Sequence, residues 1–243
     1  IFLLGLIDDK INLKANLKFI IICLIIFFLF FLDNDLIIKE LKFSIYEKNF
    51  FLGRISIFFS VFCFLVYINA FNMFDGINLQ SGYYSILIFL CILFFYLDSL
   101  FIKILIISLV CFSYLNFKNK TFLGDSGSLL ISFIIGYVFI KLYNLNNINY
   151  ADEITLYMLV PGLDLIRLFI LRIFNKRNPL SSDRNHLHHL LIKKYSLKMT
   201  LLIIFSLISL PIILNFFDIS NLINISVTVI LYLFLLILSF KEN

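Results

Sequence analysis

Residues 16–32 read Asn16-Leu17-Lys18-Phe19-Ile20-Ile21-Ile22-Cys23-Leu24-Ile25-Ile26-Phe27-Phe28-Leu29-Phe30-Phe31-Leu32, an apolar run with one charge near its start. A bilayer core needs about 20 mostly apolar helical residues, since in lipid only a helix or a closed barrel satisfies its own backbone. The pattern returns at 53–68, 79–97, 100–116, 128–142, 154–172, 199–215 and 222–240. Of the 243 residues 62% are hydrophobic and 14% charged, and mean hydropathy is +1.03. That excludes a soluble globular fold, a disordered tail and a disulfide-stapled module. The expectation is an all-α polytopic membrane protein, a single domain over 1–243, with about eight full transmembrane helices. Residues 1–6 read as the tail of one more, so the chain is expected to be N-terminally incomplete.

Alternate threading of these spans separates the basic residues. One side takes Lys10, Lys14, Lys18, Lys118, Lys120, Lys241 and the basic run from Arg172 to Lys198; the other takes Lys39, Lys42, Lys48, Arg54, Lys103 and Lys141. The first side is therefore expected in the cytoplasm. The net charge of +5 has this topological explanation and gives no reason to expect nucleic acid. Arg167 falls within a span. Cys23, Cys63, Cys91 and Cys111 lie in apolar runs without metal-ligand spacing and read as small buried hydrophobes. On the outer side, residues 39–52 alternate partly and are read as a small β-hairpin turning at Glu47-Lys48-Asn49.

Polar groups are expensive in a membrane protein, so their clustering is informative. The inner loops hold Asp8 and Asp9; Asn69, Asn72, Asp75 and Asn78; Asp125; and all three histidines, His186, His188 and His189. Adjacent acids in Gly5-Leu6-Ile7-Asp8-Asp9 and a glycine-flanked acid in Gly124-Asp125-Ser126-Gly127 suit Mg²⁺, which takes one or two carboxylates with substrate phosphates. Asn69, Asn72, Asp75 and Asn78 recur every three residues and share one face if their helix continues past its membrane exit. A hydrogen-bonding stripe between helices is the alternative. In Asp183-Arg184-Asn185-His186-Leu187-His188-His189, His186 and His189 share a helix face with His188 turned away; with Arg184 they read as an anion site.

These four motifs, in this order from residue 3 to about 192, resemble the polyprenyl-phosphate N-acetylhexosamine-1-phosphate transferases of glycosyltransferase family 4. The resemblance implies transfer of N-acetylhexosamine 1-phosphate from a UDP-N-acetylhexosamine to undecaprenyl phosphate, with release of UMP. That is the first membrane step of cell-surface polysaccharides such as the O-antigen of lipopolysaccharide. It implies Mg²⁺, with Mn²⁺ an acceptable substitute, and a multi-pass enzyme of the bacterial inner membrane acting on the cytoplasmic face. By the same resemblance Asp8, Asp9, Asp75, Asp125 and His186 are catalytic. Asn69, Asn72, Asn78, Arg184, His188 and His189 bind substrate, and Asp125, Asn72 and Asp75 hold the metal. Asn78 stands where relatives often have an Asp that reads uracil, and Asn78-Leu79-Gln80-Ser81-Gly82 stands where many repeat Asp-Gly. The family has further helices before its Asp-Asp motif, so poor transfer is expected of this 243-residue form alone. Alternatives are the phospho-MurNAc-pentapeptide branch, whose last loop usually has three consecutive histidines, and an inactive lipid-binding relative. Oligomeric state stays open, a homodimer included.

Overall fold

The structure is a computed structural model that describes residues 1–181, 183 and 185–240. Its elements in chain order are α1 (Phe2–Ile11), α2 (Ala15–Leu32), β1 (Glu40–Phe43), β2 (Tyr46–Phe51), α3 (Ser56–Phe74) and α4 (Gln80–Cys91), which runs into a π-helical turn (Ile92–Tyr96). There follow α5 (Leu100–Phe117), α6 (Gly124–Asn144), α7 (Ala151–Phe174), α8 (Leu187–Lys194), α9 (Leu197–Phe216) and α10 (Asn221–Phe240). Among the described residues seven helices are long and apolar enough to cross a membrane, and Gln80–Tyr96 is a shorter apolar eighth. The molecule is an all-α polytopic membrane protein, in the span order read from the sequence. Large apolar side chains face outward, Phe31 at 78% and Leu100 at 73% exposure among them, as lipid-facing helices require. Of the cysteines only Cys91 is buried, so the expectation of four buried thiols does not hold: Cys111 is exposed on an apolar helix.

The chain divides into two compact units. The first comprises Ile1–Asn72 and Leu123–Thr155. Within it α1 packs along α6, and Gly5 permits the approach: a Cβ there would lie 2.4 Å from the Ser126 Cα. Ser128, Ser132 and Gly136 recur every fourth residue on the buried side of α6, and Phe64 and Tyr67 of α3 pack over Gly136. The hairpin forms with Glu40 opposite Phe51 and Phe43 opposite Tyr46. Its turn is Ser44-Ile45. Glu47-Lys48-Asn49, expected to be the turn, lies inside β2, where the register shifts and a bulge absorbs the polar triplet.

The second unit comprises Met73–Phe122 and Leu156–Asn243. Here α4 packs on α5 and α9, and α8 to α10 pack on one another. Pro161 sits inside α7 and leaves the Tyr157 carbonyl without its helical donor; the Tyr84 hydroxyl supplies one at 3.0 Å. The Asn224 amide on α10 donates to the Pro211 carbonyl of α9 at 2.7 Å and ties the two helices together.

Candidate active site

Each unit gathers part of the polar minority. In the first, α1 ends over Asp8, and Asn12 takes a left-handed conformation (φ 53°) that returns its N–H to the Asp8 carbonyl. The buried Asp8 carboxylate accepts from the Leu13 N–H at 2.7 Å and pairs with the Lys18 ammonium at 2.7 Å. Lys18, in the first turn of α2, also lies 2.7 Å from Asp125 Oδ1 and 3.4 Å from Asn72 Oδ1. Asn72 in turn donates to Asp125 at 2.5 Å and to Ser128 Oγ at 2.7 Å. Three oxygens from α1, α3 and α6 thus converge on one ammonium. Burial works to raise the Asp8 pKa, but the hydrogen bonds from Lys18 and Leu13 outweigh it and hold the carboxyl below its ordinary value.

Asp9 does something different from its neighbour. Its two oxygens accept the N–H groups of Asp125 (2.8 Å) and Ser126 (3.1 Å), capping the start of α6 with a carboxylate where the helix dipole favours one. Gly124 is required for this on two counts, a φ of +66° and the Asp9 oxygens 3.0 Å from where a Cβ would be.

The expected stripe of four polar residues does not form. Helix α3 stops at Phe74, so only Asn69 and Asn72 are helical, and Asn69 spends its amide on the Leu65 carbonyl of its own helix at 2.8 Å. Asp75 and Asn78 belong to the following loop, in the second unit. There Ser81 Oγ donates to Asp75 at 2.6 Å. Asn78 donates to Asn119 at 2.5 Å and accepts from Asn116 at 3.2 Å, while the buried Asn116 also accepts from Leu79 N–H at 2.7 Å. Leu79 has φ 72°, so this asparagine set holds a strained turn into α4.

The histidines form a second buried centre. His186 Nδ1 meets Asp164 Oδ2 at 2.8 Å, and Asp164 Oδ1 accepts from Arg167 (2.7 Å) and the Tyr232 hydroxyl (2.7 Å). Arg167 reaches on to the Asn185 carbonyl at 2.6 Å, tying the loop to α7. His188 is not turned away as expected. It is 1% exposed, its ring lies 5.4 Å from that of His186 and 4.2 Å from that of His189, and its Nε2 abuts Gly76, where a Cβ would sit 1.9 Å away. Burial, and then the neighbouring imidazoles, push its pKa down to about 3, so it is neutral. Arg172, 3% exposed, holds Asp183 at 2.8 Å; the hydrogen bond outweighs burial and leaves the Asp183 carboxyl below its ordinary value. Arg184 lies outside the described residues.

Among the described residues no three His, Cys, Asp or Glu side chains gather as a ready metal cage. The Asp8, Asp125 and Asn72 oxygens nonetheless match a hard cation that completes its shell with water and phosphate. Lys18, Asp164, Arg167, Tyr232 and Asn116 did not stand out in the sequence as site residues. Lys18, Asp164 and Arg167 carry a findable signal, being ionisable groups inside apolar helices.

Residues 1–143 match the profile described as Glycosyl transferase family 4. The chain belongs to glycosyl transferase family 4. The matched family segment contains Asp8, Asp9, Lys18, Asn72 and Asp125. A Thermotoga maritima protein named undecaprenyl-phosphate alpha-N-acetylglucosaminyl 1-phosphate transferase is 31% identical over 225 residues, covering 91% of this chain and 67% of its own length. Proteins of the same name from Escherichia coli O157:H7 and Yersinia pestis are 24% and 25% identical, each covering 78% of this chain. The chain spans about half the length of these two, 55% in each case.

Proposed function

We propose that this chain carries a membrane-embedded phosphoglycosyl transferase centre that moves N-acetylhexosamine 1-phosphate from a UDP-sugar to undecaprenyl phosphate. The observation that carries the reading is the convergence of Asp8, Asn72 and Asp125 on Lys18. An oxygen of the lipid phosphate attacks the sugar-bearing β-phosphorus, the bond from that phosphorus to the bridging oxygen breaks, and UMP leaves with the electron pair. Such chemistry needs little from a protein beyond positioning and neutralisation of phosphate charge. Lys18 supplies a fixed positive charge, Asp8 orients it, and Asn72 fixes the Asp125 carboxylate. Mg²⁺ would be held by Asp125 with Asn72 and Asp8 and would supply further charge neutralisation when bound. His186, with Asp164 behind it, and His189 serve the donor's phosphates or sugar, and Asn78 its base. The positive-inside distribution supports a cytoplasmic-facing site in a bacterial inner membrane.

Membranes carrying the product of the complete reading frame that contains this chain are incubated with undecaprenyl phosphate, labelled UDP-N-acetylglucosamine and Mg²⁺, with and without chelator. The expected result is a chelator-sensitive labelled lipid with stoichiometric UMP, abolished by Asp125→Asn in a protein that still inserts and melts normally. Absence of labelled lipid from that product overturns the proposal. Label accepted only from UDP-MurNAc-pentapeptide moves the substrate to the peptidoglycan branch.

A further inference from the structure

The first unit holds a second polar centre at the far end of α6 from Asp125. That helix has 21 residues, so its ends are roughly 30 Å apart, the thickness of a hydrocarbon core. At the far end is a cavity of about 460 Å³ formed by the hairpin and the segment before it, within the size range of small-ligand sites. Its walls are tied rather than slack. The Lys42 N–H donates to the Tyr143 hydroxyl (2.8 Å), which donates to the Glu40 carbonyl (3.1 Å), and the Asn144 amide donates to the carbonyls of Asp35 (2.6 Å) and Ile37 (3.2 Å).

The charges in this cavity are arranged unevenly. Lys42 is paired with Glu40 at 2.9 Å and Lys141 with Asp33 at 3.0 Å. Lys39 and Asp35 also line the cavity, and among the described residues neither side chain has an ion-pair partner. One cation and one anion are therefore presented to a single space. Phe51 and Leu145 edge the same cavity with apolar surface, 78% and 67% exposed, Phe51 just before the span that begins at Gly53 and Leu145 just after α6.

We infer that this cavity binds the zwitterionic headgroup of an amine-bearing phospholipid, its phosphate on Lys39, its primary ammonium on Asp35, and its first acyl carbons on Phe51 and Leu145. A primary ammonium offers three N–H donors to a carboxylate, which a trimethylammonium does not. A quaternary ammonium wants an aromatic cage, and the cavity has only two lining rings among the described residues, Phe51 and a Tyr143 tied by its hydroxyl to Lys42 and Glu40. A purely anionic headgroup leaves Asp35 facing it unanswered. The site is independent of the phosphotransfer reading, whose first-unit residue Asp125 lies at the other end of α6.

The chain contains no Trp, so Phe51→Trp gives a single tryptophan at the cavity edge, excited apart from the 12 tyrosines. The detergent-solubilised protein is titrated with short-chain phosphatidylethanolamine, phosphatidylcholine and phosphatidylglycerol, and with free phosphoethanolamine. The expected result is a saturable spectral shift with phosphatidylethanolamine, at least tenfold weaker binding of the other two lipids, and a tenfold loss in Lys39→Gln and in Asp35→Asn. Binding of free phosphoethanolamine as tight as the lipid supports headgroup recognition without acyl contact; weaker but saturable binding supports both contacts. Identical curves for the three lipids, or curves unmoved by both substitutions, overturn the inference. As a readout that leaves Phe51 intact, phosphatidylethanolamine raises the melting temperature of the unsubstituted chain more than phosphatidylcholine does; equal shifts also overturn it.

Discussion

Gly5→Ala is the sharpest perturbation of the proposed centre, because it adds one methyl group where α1 and α6 touch through backbone. The new Cβ would stand 2.4 Å from the Ser126 Cα, 2.6 Å from its N and 2.7 Å from the Asp125 carbonyl carbon. Non-bonded carbons settle at about 3.5–4.0 Å, so the helices must part by roughly 1 Å. No side chain can rotate away, since the obstructing atoms are main chain. The Asp9 bonds to Asp125 N–H and Ser126 N–H, now 2.8 and 3.1 Å, then stretch past hydrogen-bond range. Overpacking costs about 1–3 kcal/mol and loss of a helix cap about 1 kcal/mol more. Asp125 moves with the start of α6 away from Lys18, and a displacement of about 1 Å at a reacting centre lowers rate by about 10²-fold. Thermal unfolding in detergent and labelled-lipid formation are measured on Gly5→Ala beside Leu6→Ala, a neighbour 36% exposed that should change neither strongly. A Gly5→Ala protein that melts and transfers like the parent refutes the close packing of α1 on α6 and the role given to it.

Lys18→Met removes the ammonium between two carboxylates and should lower transfer at least about 10²-fold, while Lys18→Arg keeps the charge and the fold; transfer within twofold of the parent in Lys18→Met would detach Lys18 from the chemistry. Asp164→Asn keeps the shape but strips the counter-charge from buried Arg167, so stability should fall by about 3–5 kcal/mol at most, as for a broken buried ion pair, and the melting point with it; an unchanged melt would show that this network carries no stability. His188 is held neutral with a pKa near 3 against about 6.5 in an unfolded chain, so protons bind the unfolded state more tightly between those values. Its contribution is complete above pH 6.5 and lost as pH falls toward 3, at up to about 1.4 kcal/mol per pH unit; His188→Gln should flatten the melting profile between pH 6.5 and 4.5, and parallel profiles would refute the assignment.

How much of this was readable beforehand follows from what each residue has to do. Asp8, Asn72 and Asp125 were legible because carboxylates and an amide in short glycine-marked motifs at span ends have few purely structural uses. Lys18 was overlooked for the opposite reason. A lysine one turn into an apolar helix serves topology equally well, and only the fold shows its ammonium reaching back to Asp8. Spans were legible from length and apolarity, but where a helix stops was not: the period of three from Asn69 to Asn78 is helical on paper, yet the chain leaves the helix at Phe74, Asp75 accepts from the Ser81 hydroxyl, and Asn78 joins Asn116 and Asn119 in the turn. The hairpin turn slipped for a related reason. Glu47-Lys48-Asn49 has turn composition, but a bulge accommodates the same polar triplet while Ser44 is anchored by Asp152.

The two buried centres share an electrostatic logic that bears on how an empty site stays folded. Asp8 would face another carboxylate, that of Asp125, at low dielectric if nothing cationic stood by them; Lys18 pairs with both and is tethered and always present. Asp164 is neutralised the same way by Arg167, and His186 Nδ1 lies 2.8 Å from its other oxygen. A tethered cation cannot diffuse away between turnovers. A long flexible lysine can nevertheless shift its head group by several ångströms when a phosphate arrives, at little backbone cost. On this reasoning Lys18 offsets one of the two carboxylate charges in the resting state and turns toward substrate charge in the loaded one. That predicts that Lys18→Met loses stability chiefly in the absence of phosphate-bearing ligand and divalent cation, and regains part of it when both are added; a variant equally destabilised with and without them would leave Lys18 a static bridge.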